Sequence, residues 1–163
     1  MAMAHFLLYE IHSPMRYFLD TEFNGFGGEL ISIALVPEYG DQEFYTSLPL
    51  PETLHPWVEA KVIPYLRHVP FSVDNQMTRD HAALHVAKYL EGDKDPVVIA
   101  DWPEDIAQFC MLLLTGPGEM VHIEGVRFEL LPTPGFSSAA SSKVPHNALH
   151  DARALKHFTM GDG

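Results

Sequence analysis

The chain has 163 residues, with 10 basic and 22 acidic side chains, a formal net charge of −12 and a hydrophobic fraction of 47%. These values predict one domain with a core of ordinary size, and they argue against broad, charge-driven binding to duplex nucleic acid, which requires a basic face. The single cysteine excludes an internal disulfide, and no apolar run approaches the roughly 20 residues that span a bilayer. We therefore expect a cytoplasmic protein with no membrane partner.

The beginning of the chain predicts an antiparallel meander. Residues 1–14 look unlike the rest of the chain, and we interpret them as a leader (an expression remnant, a misplaced start or an extra edge strand) before a domain over 15–163. Residues 16–23, 29–36 and 41–48 are rich in aromatic and aliphatic side chains and are separated by glycine-containing turns. We expect them to form three consecutive strands.

Helical and strand-like patterns alternate along the remainder of the sequence. They predict a helix-and-loop stretch over 51–67, a helix over 78–90 with Thr78 as N-cap and Gly92 after its end, a buried parallel strand over 96–100, a helix over 101–114, one or two strands over 120–131, a mobile loop over 132–145 and a helix over 147–158. A meander followed by alternating helices and strands predicts an α/β fold, with a mixed sheet flanked by helices.

The first chemical signal is the acidic pair in the run Asp20-Thr21-Glu22-Phe23. Residues two apart on a strand project to the same face, so the carboxylates of Asp20 and Glu22 lie side by side. Neighbouring carboxylates repel unless a cation lies between them, and Mg²⁺ or Mn²⁺ prefers oxygen ligands of this kind. The pair predicts a metal site; the alternative is an edge strand with two solvated acids.

A second acidic group comes after the apolar strand 96–100. Asp101 stands three residues before Glu104, which is the spacing of a capping box, and Pro103 suits the first turn of a helix. Asp105 has no such structural role and lies just off the apolar stripe of the helix. We assign Asp105 to the metal site and Asp101 to the cap. The reverse assignment stays open, as does the alternative that both only complement the helix dipole.

The third signal is a histidine and an aspartate five positions apart, His146 and Asp151. At 100° per residue these two side chains would not share a face of one straight helix. Pro145 and the capping ability of Asn147 predict that a helix begins between them, so that a loop histidine and a helical aspartate converge. The alternative for His146 is an ordinary surface histidine, because the chain contains 10 histidines.

Taken together, these signals resemble the DEDD exonuclease superfamily, and within it the DEDDh branch. That branch carries Asp-x-Glu on its first strand, an Asp after a middle strand and His-x-x-x-x-Asp near its end. The chain has the corresponding residues in the same order: Asp20 and Glu22, then Asp105, then His146 and Asp151. The resemblance covers about residues 15–158 and is closest to small bacterial and phage exoribonuclease-like proteins, with oligoribonuclease and ribonuclease T as more distant relatives.

The resemblance implies a ribonuclease H-like fold and 3′→5′ exonuclease activity on the end of RNA or DNA, with single-stranded or short RNA favoured. The metal ligands that it implies are Asp20, Glu22, Asp105 and Asp151. These residues would hold two divalent cations, Mg²⁺ or Mn²⁺, about 4 Å apart, and His146 would be the general base. Relatives of this kind often form homodimers, so a homodimer is also expected.

The chain departs from the DEDDh pattern at two places. Trp102-Pro103-Glu104 stands where many members have an Asn and a Phe before the second Asp, which keeps the choice between Asp105 and Asp101 open. Phe23 stands where many members have Thr or Ser. We expect Phe23 to bind substrate by stacking on the terminal base; packing within the protein is the alternative.

Three other functions are compatible with parts of the pattern. An endonuclease of ribonuclease H type would share the fold, although the His-x-x-x-x-Asp spacing argues against it. A catalytically inactive nucleic-acid- or protein-binding module would have lost an acid or the histidine, whereas all five residues are present. A purely structural domain of a larger assembly has no repeat or coiled-coil signal in its favour.

Overall fold

A mixed sheet with helices on both faces forms the centre of the structure. The computed structural model describes residues 13–161, so residues 1–12 of the predicted leader lie outside the described part of the chain. In chain order the elements are β1 (Arg16–Phe23), β2 (Leu30–Pro37), β3 (Phe44–Ser47), α1 (Pro56–Lys61), a 3₁₀ turn (Ile63–Tyr65), α2 (Arg79–Leu90), β4 (Val97–Ala100), α3 (Pro103–Leu113), β5 (Leu114–Gly116), β6 (Glu119–Met120), β7 (Arg127–Leu130), α4 (Ser138–Ser141) and α5 (Ala148–Met160). Within this range, none of the helices has the length and apolar character needed to cross a bilayer.

The sheet has five strands in the order β3-β2-β1-β4-β7. The strands β1, β2 and β3 pair antiparallel, which confirms the predicted meander. The strand β4 pairs parallel to β1, and β7 pairs parallel to β4. The short strands β5 and β6 form a separate hairpin. The predicted α/β class, with a mixed sheet flanked by helices, is therefore confirmed.

Each face of the sheet is covered by different helices. On β1, Phe18 belongs to a buried cluster with Leu149 and Leu155 of α5. Its neighbour Leu19 belongs to another cluster, which contains α2 and residues such as Phe109 of α3. Burying side chains of this size stabilises the fold by about 1.5–3 kcal/mol each. Even-numbered residues of β1 therefore face α5, and odd-numbered residues face α2 and α3.

Two of the predicted helix caps are confirmed. Thr78 is the N-cap of α2, where its side chain accepts a hydrogen bond from the His81 amide. Asn147 is the N-cap of α5 and accepts hydrogen bonds from the amides of Leu149 and His150. Side-chain caps of this kind are worth about 1 kcal/mol each. The cap at Asn147 sets the start of α5 and hence the position of the acidic residue in its first turn.

The predicted capping role of Asp101 is wrong. The helix α3 begins at Pro103, its N-cap is Trp102, and no side chain caps it. Proline supplies no amide and occupies the first helical position, so Asp101 lies one residue too early to be the cap. Glu104 does not complete a capping box either, because its Oε1 accepts a hydrogen bond from the amide of Gly27 at 2.8 Å.

The predicted loop over 132–145 contains the one-turn helix α4. Phe136 in this segment packs against the α5 side of the core, and its ring lies 5.0 Å from the ring of Phe158. The segment is thus anchored at one point, and its mobility stays a prediction.

Candidate metal centre

Three carboxylates meet where the end of β1 passes the start of α5. Asp20 and Glu22 are both even-numbered residues of β1 and therefore face α5, from which Asp151 projects. One carboxylate oxygen from each of the three residues lies within 4.8 Å of the other two. The predicted convergence of the first strand and the final helix is therefore present in the structure.

The position of Asp151 results from the geometry of the chain before α5. His146 has a left-handed backbone conformation, with φ of +64°, which non-glycine residues seldom adopt. This turn directs the His146 amide at Asp151, whose Oδ2 accepts its hydrogen bond at 3.1 Å. The other oxygen, Oδ1, is buried and makes no hydrogen bond of ordinary geometry within the described residues, although the Ser142 hydroxyl lies close enough to the carboxylate to oppose the rise of its pKa. A buried, unpartnered carboxylate oxygen is costly, and a bound cation would satisfy it.

The pKa values of the three carboxylates also indicate that a bound cation would stabilise the cluster. Burial raises the pKa values of Asp20 and Glu22 well above their ordinary range, and the negative charges of neighbouring carboxylates raise them further. Burial likewise raises the pKa of Asp151 to about 6. None of the ion pairs formed within residues 13–161 involves these three side chains. The donor set is all oxygen and anionic, which suits a hard divalent cation.

Asp105 lies beside this cluster but on the other side of β1. It is buried, and its Oδ1 accepts hydrogen bonds from both the amide and the hydroxyl of Thr21, at 3.1 and 2.6 Å. Thr21 is an odd-numbered residue of β1 and so faces α3. Asp105 does not belong to the group of oxygens within 4.8 Å, although it is the charged neighbour that most raises the pKa of Asp20. Its own pKa is raised by burial to about 7.

His146 contacts Asp151 through its backbone amide, whereas its imidazole ring packs against α1. The imidazole packs edge-on against the indole of Trp57, with ring centres 4.9 Å apart and planes at 78°. Partial burial lowers the pKa of His146, and the positive charge of Lys61 lowers it further. The structure therefore brings the predicted histidine to the margin of the site, with an imidazole whose lowered pKa favours the neutral form.

A cleft of about 460 Å³ opens over the β1 carboxylates, at the carboxyl ends of the parallel strands β1 and β4. Such an edge is a common ligand position in open α/β sheets. The cleft is lined by Asp20, Glu22, Asp101 and Asp105 and by the aromatic residues Phe23, Phe26, Trp57 and Trp102, together with Thr21, Gly25, Val58, Glu104 and Ser138. The predicted substrate residue Phe23 is thus at the cleft, half-buried in its wall.

Three further aromatic side chains of the cleft were not among the predicted site residues. Phe26 is 99% exposed, Trp57 48% and Trp102 58%. Exposed rings of this size around one opening are candidates for stacking against bases. Phe26 and Trp102 could have been found from the sequence, because each lies in a turn beside an acidic motif. Trp57 has no such signal, since its position depends on how α1 folds back toward β1.

The turn that carries Phe26 is fixed from two sides. Its Gly27 amide donates to Glu104, and the Gly28 carbonyl accepts a 2.9 Å hydrogen bond from Gln108, so both contacts come from α3. Asn24, at the start of the turn, accepts a 2.7 Å hydrogen bond from the amide of His55. The rim of the cleft is therefore tied to the helix that carries Asp105.

A larger cavity, of about 1000 Å³, lies at the opposite end of β1 and has a different character. Two of its acidic residues are paired with arginine: Glu38 with Arg16, and Asp95 with Arg127. We place the site in the smaller cleft because its carboxylates lie together and no lysine or arginine is among the residues that line it.

The chain was compared with models of known protein families and with curated proteins, and neither comparison returned a match. The site is therefore interpreted from its own residues.

Proposed function

We propose that this protein is a metal-dependent 3′→5′ exonuclease with a ribonuclease H-like fold, acting on single-stranded or short nucleic acid with RNA favoured. The observation that carries the proposal is the convergence of Asp20, Glu22 and Asp151, whose oxygens lie within 4.8 Å of one another. The resemblance to the DEDDh pattern supports it, because the same three residues fill three of its positions.

The carboxylates would hold divalent cations, Mg²⁺ or Mn²⁺. Asp20, Glu22 and Asp151 form the central ligand set, and Oδ1 of Asp151, which makes no hydrogen bond of ordinary geometry, is available to this set as a metal ligand. Asp105 would complete the site from the α3 side. Both of the hydrogen bonds that its carboxylate accepts from Thr21 go to Oδ1, so Oδ2 would be the oxygen that binds a cation. Bound divalent cations in such sites lower the pKa of a water and stabilise the charge of the leaving oxygen.

His146 would remove the proton from the attacking water. The water oxygen forms a bond to the terminal phosphorus, the bond from phosphorus to the 3′-oxygen of the preceding nucleotide breaks, and the water proton moves to an imidazole nitrogen. A general base must be unprotonated, and the lowered pKa of His146 favours that state at neutral pH. The His146 ring lies against Trp57, so this contact would set the position of the general base relative to the 3′ end of the nucleic acid.

The cleft itself suits an unpaired strand end. Its wall and rim carry four aromatic side chains, three of them about half exposed or more, and base stacking on such rings is independent of sequence and worth about 1–3 kcal/mol per base. The net charge of −12 argues against gripping a duplex along its backbone. The chain has a single cysteine and hence no internal disulfide, which suits a reducing compartment, and we place the enzyme in the cytoplasm.

The test is a digestion series on matched single-stranded RNA and DNA oligonucleotides that carry a label at the 5′ end, with Mg²⁺ or Mn²⁺. An exonuclease of this polarity shortens the labelled strand progressively and releases mononucleotides, and a 3′-terminal block stops it. Asp20→Asn should be inactive, whereas Glu91→Gln, an exposed acid at the end of α2, should digest like the parent protein.

The same series distinguishes the alternatives. Cleavage of a circular or end-blocked substrate would favour an endonuclease and contradict the proposed polarity. Binding of the oligonucleotide and of Mn²⁺ with no cleavage would favour an inactive binding module. Equal digestion by the parent protein and by Asp20→Asn would remove the carboxylate cluster from the mechanism.

A further inference from the structure

A row of exposed side chains leads away from the cleft along α1 and the 3₁₀ turn that follows it. Every fourth residue of this helical segment, from Val58 to Leu66, is buried in one cluster. Residues at the same spacing on a helix lie one above the other, so the residues that precede the buried ones form a second row beside them. This row, called here the α1 row, consists of Trp57, Lys61 and Tyr65. All three side chains are exposed.

Both ends of the α1 row are held at the start of α5. The Trp57 ring lines the cleft and lies 4.9 Å from the ring of His146. The carbonyl of Tyr65 accepts a 2.9 Å hydrogen bond from Nδ2 of Asn147, the N-cap of α5. Lys61 and Tyr65 are not among the residues that line the cleft. The α1 row therefore begins at the cleft and continues outside it.

Lys61 gives the α1 row a positive charge beside an acidic site. None of the ion pairs formed within residues 13–161 involves this lysine. Glu59, the acidic residue of α1, lies two positions earlier and hence on nearly the opposite side of the helix. A cation flanked by exposed aromatic rings is the combination that proteins use to bind single strands, with the cation at the phosphates and the rings against the bases.

We propose that the α1 row binds single-stranded nucleic acid upstream of the 3′ end, with Lys61 at a backbone phosphate and Tyr65 stacked on a base. This inference rests on the proposed nuclease function and specifies its substrate as a strand of several nucleotides. At a rise of 1.5 Å per residue, Trp57 and Tyr65 lie about 12 Å apart along the segment, which corresponds to about three to four stacked nucleotides at 3.4 Å each. A dinucleotide held at the carboxylates would not extend to Tyr65.

Fluorescence anisotropy with a 5′-labelled hexauridylate, blocked at its 3′ end and with Mg²⁺ present, tests this binding without requiring cleavage. Lys61→Gln should weaken the affinity several-fold. It should also reduce the slope of log K against log salt concentration by about 0.7, the value for one phosphate contact on a single strand. Lys88→Gln, which removes an exposed lysine of α2, is the matched control and should change neither quantity.

Tyr65→Leu tests the stacking contact and keeps an apolar side chain. It leaves the backbone carbonyl that binds Asn147 in place. The affinity for hexauridylate should fall by about 5–150-fold, the equivalent of one base stacked on an aromatic ring, with the salt slope unchanged. A Tyr65→Leu protein that binds hexauridylate like the parent contradicts the stacking contact.

A matched series with a uridine dinucleotide separates the α1 row from the cleft. The parent protein and Lys61→Gln should bind the dinucleotide equally. The proposal is overturned if Lys61→Gln binds hexauridylate with the affinity and salt slope of the parent, or if it loses as much affinity for the dinucleotide. A hexaglutamate peptide that binds as tightly as the RNA also overturns it, because the surface would then fit an acidic protein.

The binding assay keeps this inference separate from the proposed function. A protein that shows the expected Lys61→Gln effects but digests no oligonucleotide supports the α1 row and refutes the nuclease function. A protein that digests single strands but shows none of these effects refutes the α1 row alone.

Discussion

The acidic side chains near the two ends of β1 differ in whether they have a partner. At its beginning, Arg16 binds Glu38 through both carboxylate oxygens, and the hydroxyl of Tyr17 donates to Asp93. At its end, Asp20 and Glu22 meet Asp151 with no arginine or lysine of the described residues paired to any of them.

The pKa directions agree with this difference. Arg16 lowers the pKa of Glu38, chiefly through the hydrogen-bonded contact, whereas burial raises the pKa of Asp151 to about 6. One end of the strand is stabilised by its own ion pair, and the other carries excess negative charge that a bound cation, or protonation of the carboxylates, would neutralise. Buried carboxylates that lack a cationic partner therefore mark this end of β1 as a candidate functional site.

The largest expected effect is the loss of activity when the unpaired end is neutralised. Asp151→Asn keeps an oxygen that can accept the His146 amide but removes the negative charge. We expect Mg²⁺-dependent mononucleotide release to fall about 10³-fold or more, since a metal site supplies several kcal/mol of transition-state stabilisation. Single-turnover digestion measures the rate, with Glu91→Gln as the control. An active Asp151→Asn enzyme would contradict the role of this residue.

Replacing the proposed base should have the next largest effect. His146→Ala should lower kcat by about 10²–10⁴-fold, the usual contribution of a general base. The acidic limb of the pH–rate profile should disappear with it, because that limb reports protonation of the imidazole. Mn²⁺ binding should be unchanged, which separates this role from that of the carboxylates. A retained acidic limb in His146→Ala would assign the titration to another group.

Without metal, the unpaired end should make folding stability fall as pH rises. The pKa of Asp151 is higher in the folded chain than in the unfolded one, so its protonated form favours folding. That contribution is present in full below about pH 4 and is lost as pH rises through about 6, and a shift of this size corresponds to about 3 kcal/mol. The loss extends toward pH 7 through Asp105.

Urea unfolding in EDTA at pH 5 and pH 8 measures this effect. Added Mn²⁺ should restore stability at pH 8 and have little influence at pH 5, where protons compete for the ligands. Asp151→Asn should weaken the dependence on both pH and metal. A metal-free protein that is more stable at pH 8 than at pH 5 would refute the claim that uncompensated negative charge destabilises this site.

The aromatic rim should contribute less, and mainly to binding. Trp102→Ala should raise KM by the equivalent of about 1–3 kcal/mol, or roughly 5–150-fold, if its exposed ring stacks on a base. Steady-state digestion of a short single strand measures the change. Phe71→Ala is the matched control, because Phe71 is 97% exposed and does not line the cleft. Equal kinetics for the two variants would exclude stacking on Trp102.

The paired end of β1 should show the smallest effect, with the opposite pH dependence. Arg16→Met keeps the apolar stem and leaves Glu38 without its partner, and we expect a loss of about 1–3 kcal/mol in unfolding free energy at neutral pH. Because the folded pKa of Glu38 is lowered, the stabilisation is present above its unfolded pKa and is lost as pH falls through the folded one. Urea titrations at pH 7 and pH 4 should therefore show a smaller difference at the lower pH. Nuclease activity should be unchanged.

Local patterns were sufficient to predict much of the fold and the centre of the site. The alternation of Asp20 and Glu22 on an apolar strand set both side chains on one face, and the cap at Asn147 placed Asp151 in the first turn of α5. Both inferences rest on periodicity and backbone hydrogen bonding, which depend on neighbouring residues alone.

What the sequence could not predict depends on contacts between distant elements. The role of Asp101 was mistaken because Pro103 and the Gly27 contact of Glu104 compete with a capping box. The hydrogen bond from Thr21 to Asp105 forms only because α3 packs against β1, which the local sequence does not reveal. The ring of His146 turns to Trp57, a partner on α1 that spacing along the chain does not reveal.

Anomalous diffraction from crystals soaked in Mn²⁺ tests the central claim most directly. The account predicts a manganese peak bounded by Asp20, Glu22 and Asp151, with an oxygen of each at about 2.0–2.5 Å from the ion, and no such peak in crystals of Asp151→Asn. A parent crystal with no manganese among these three residues, or with manganese bound only at the opposite end of β1, would contradict it.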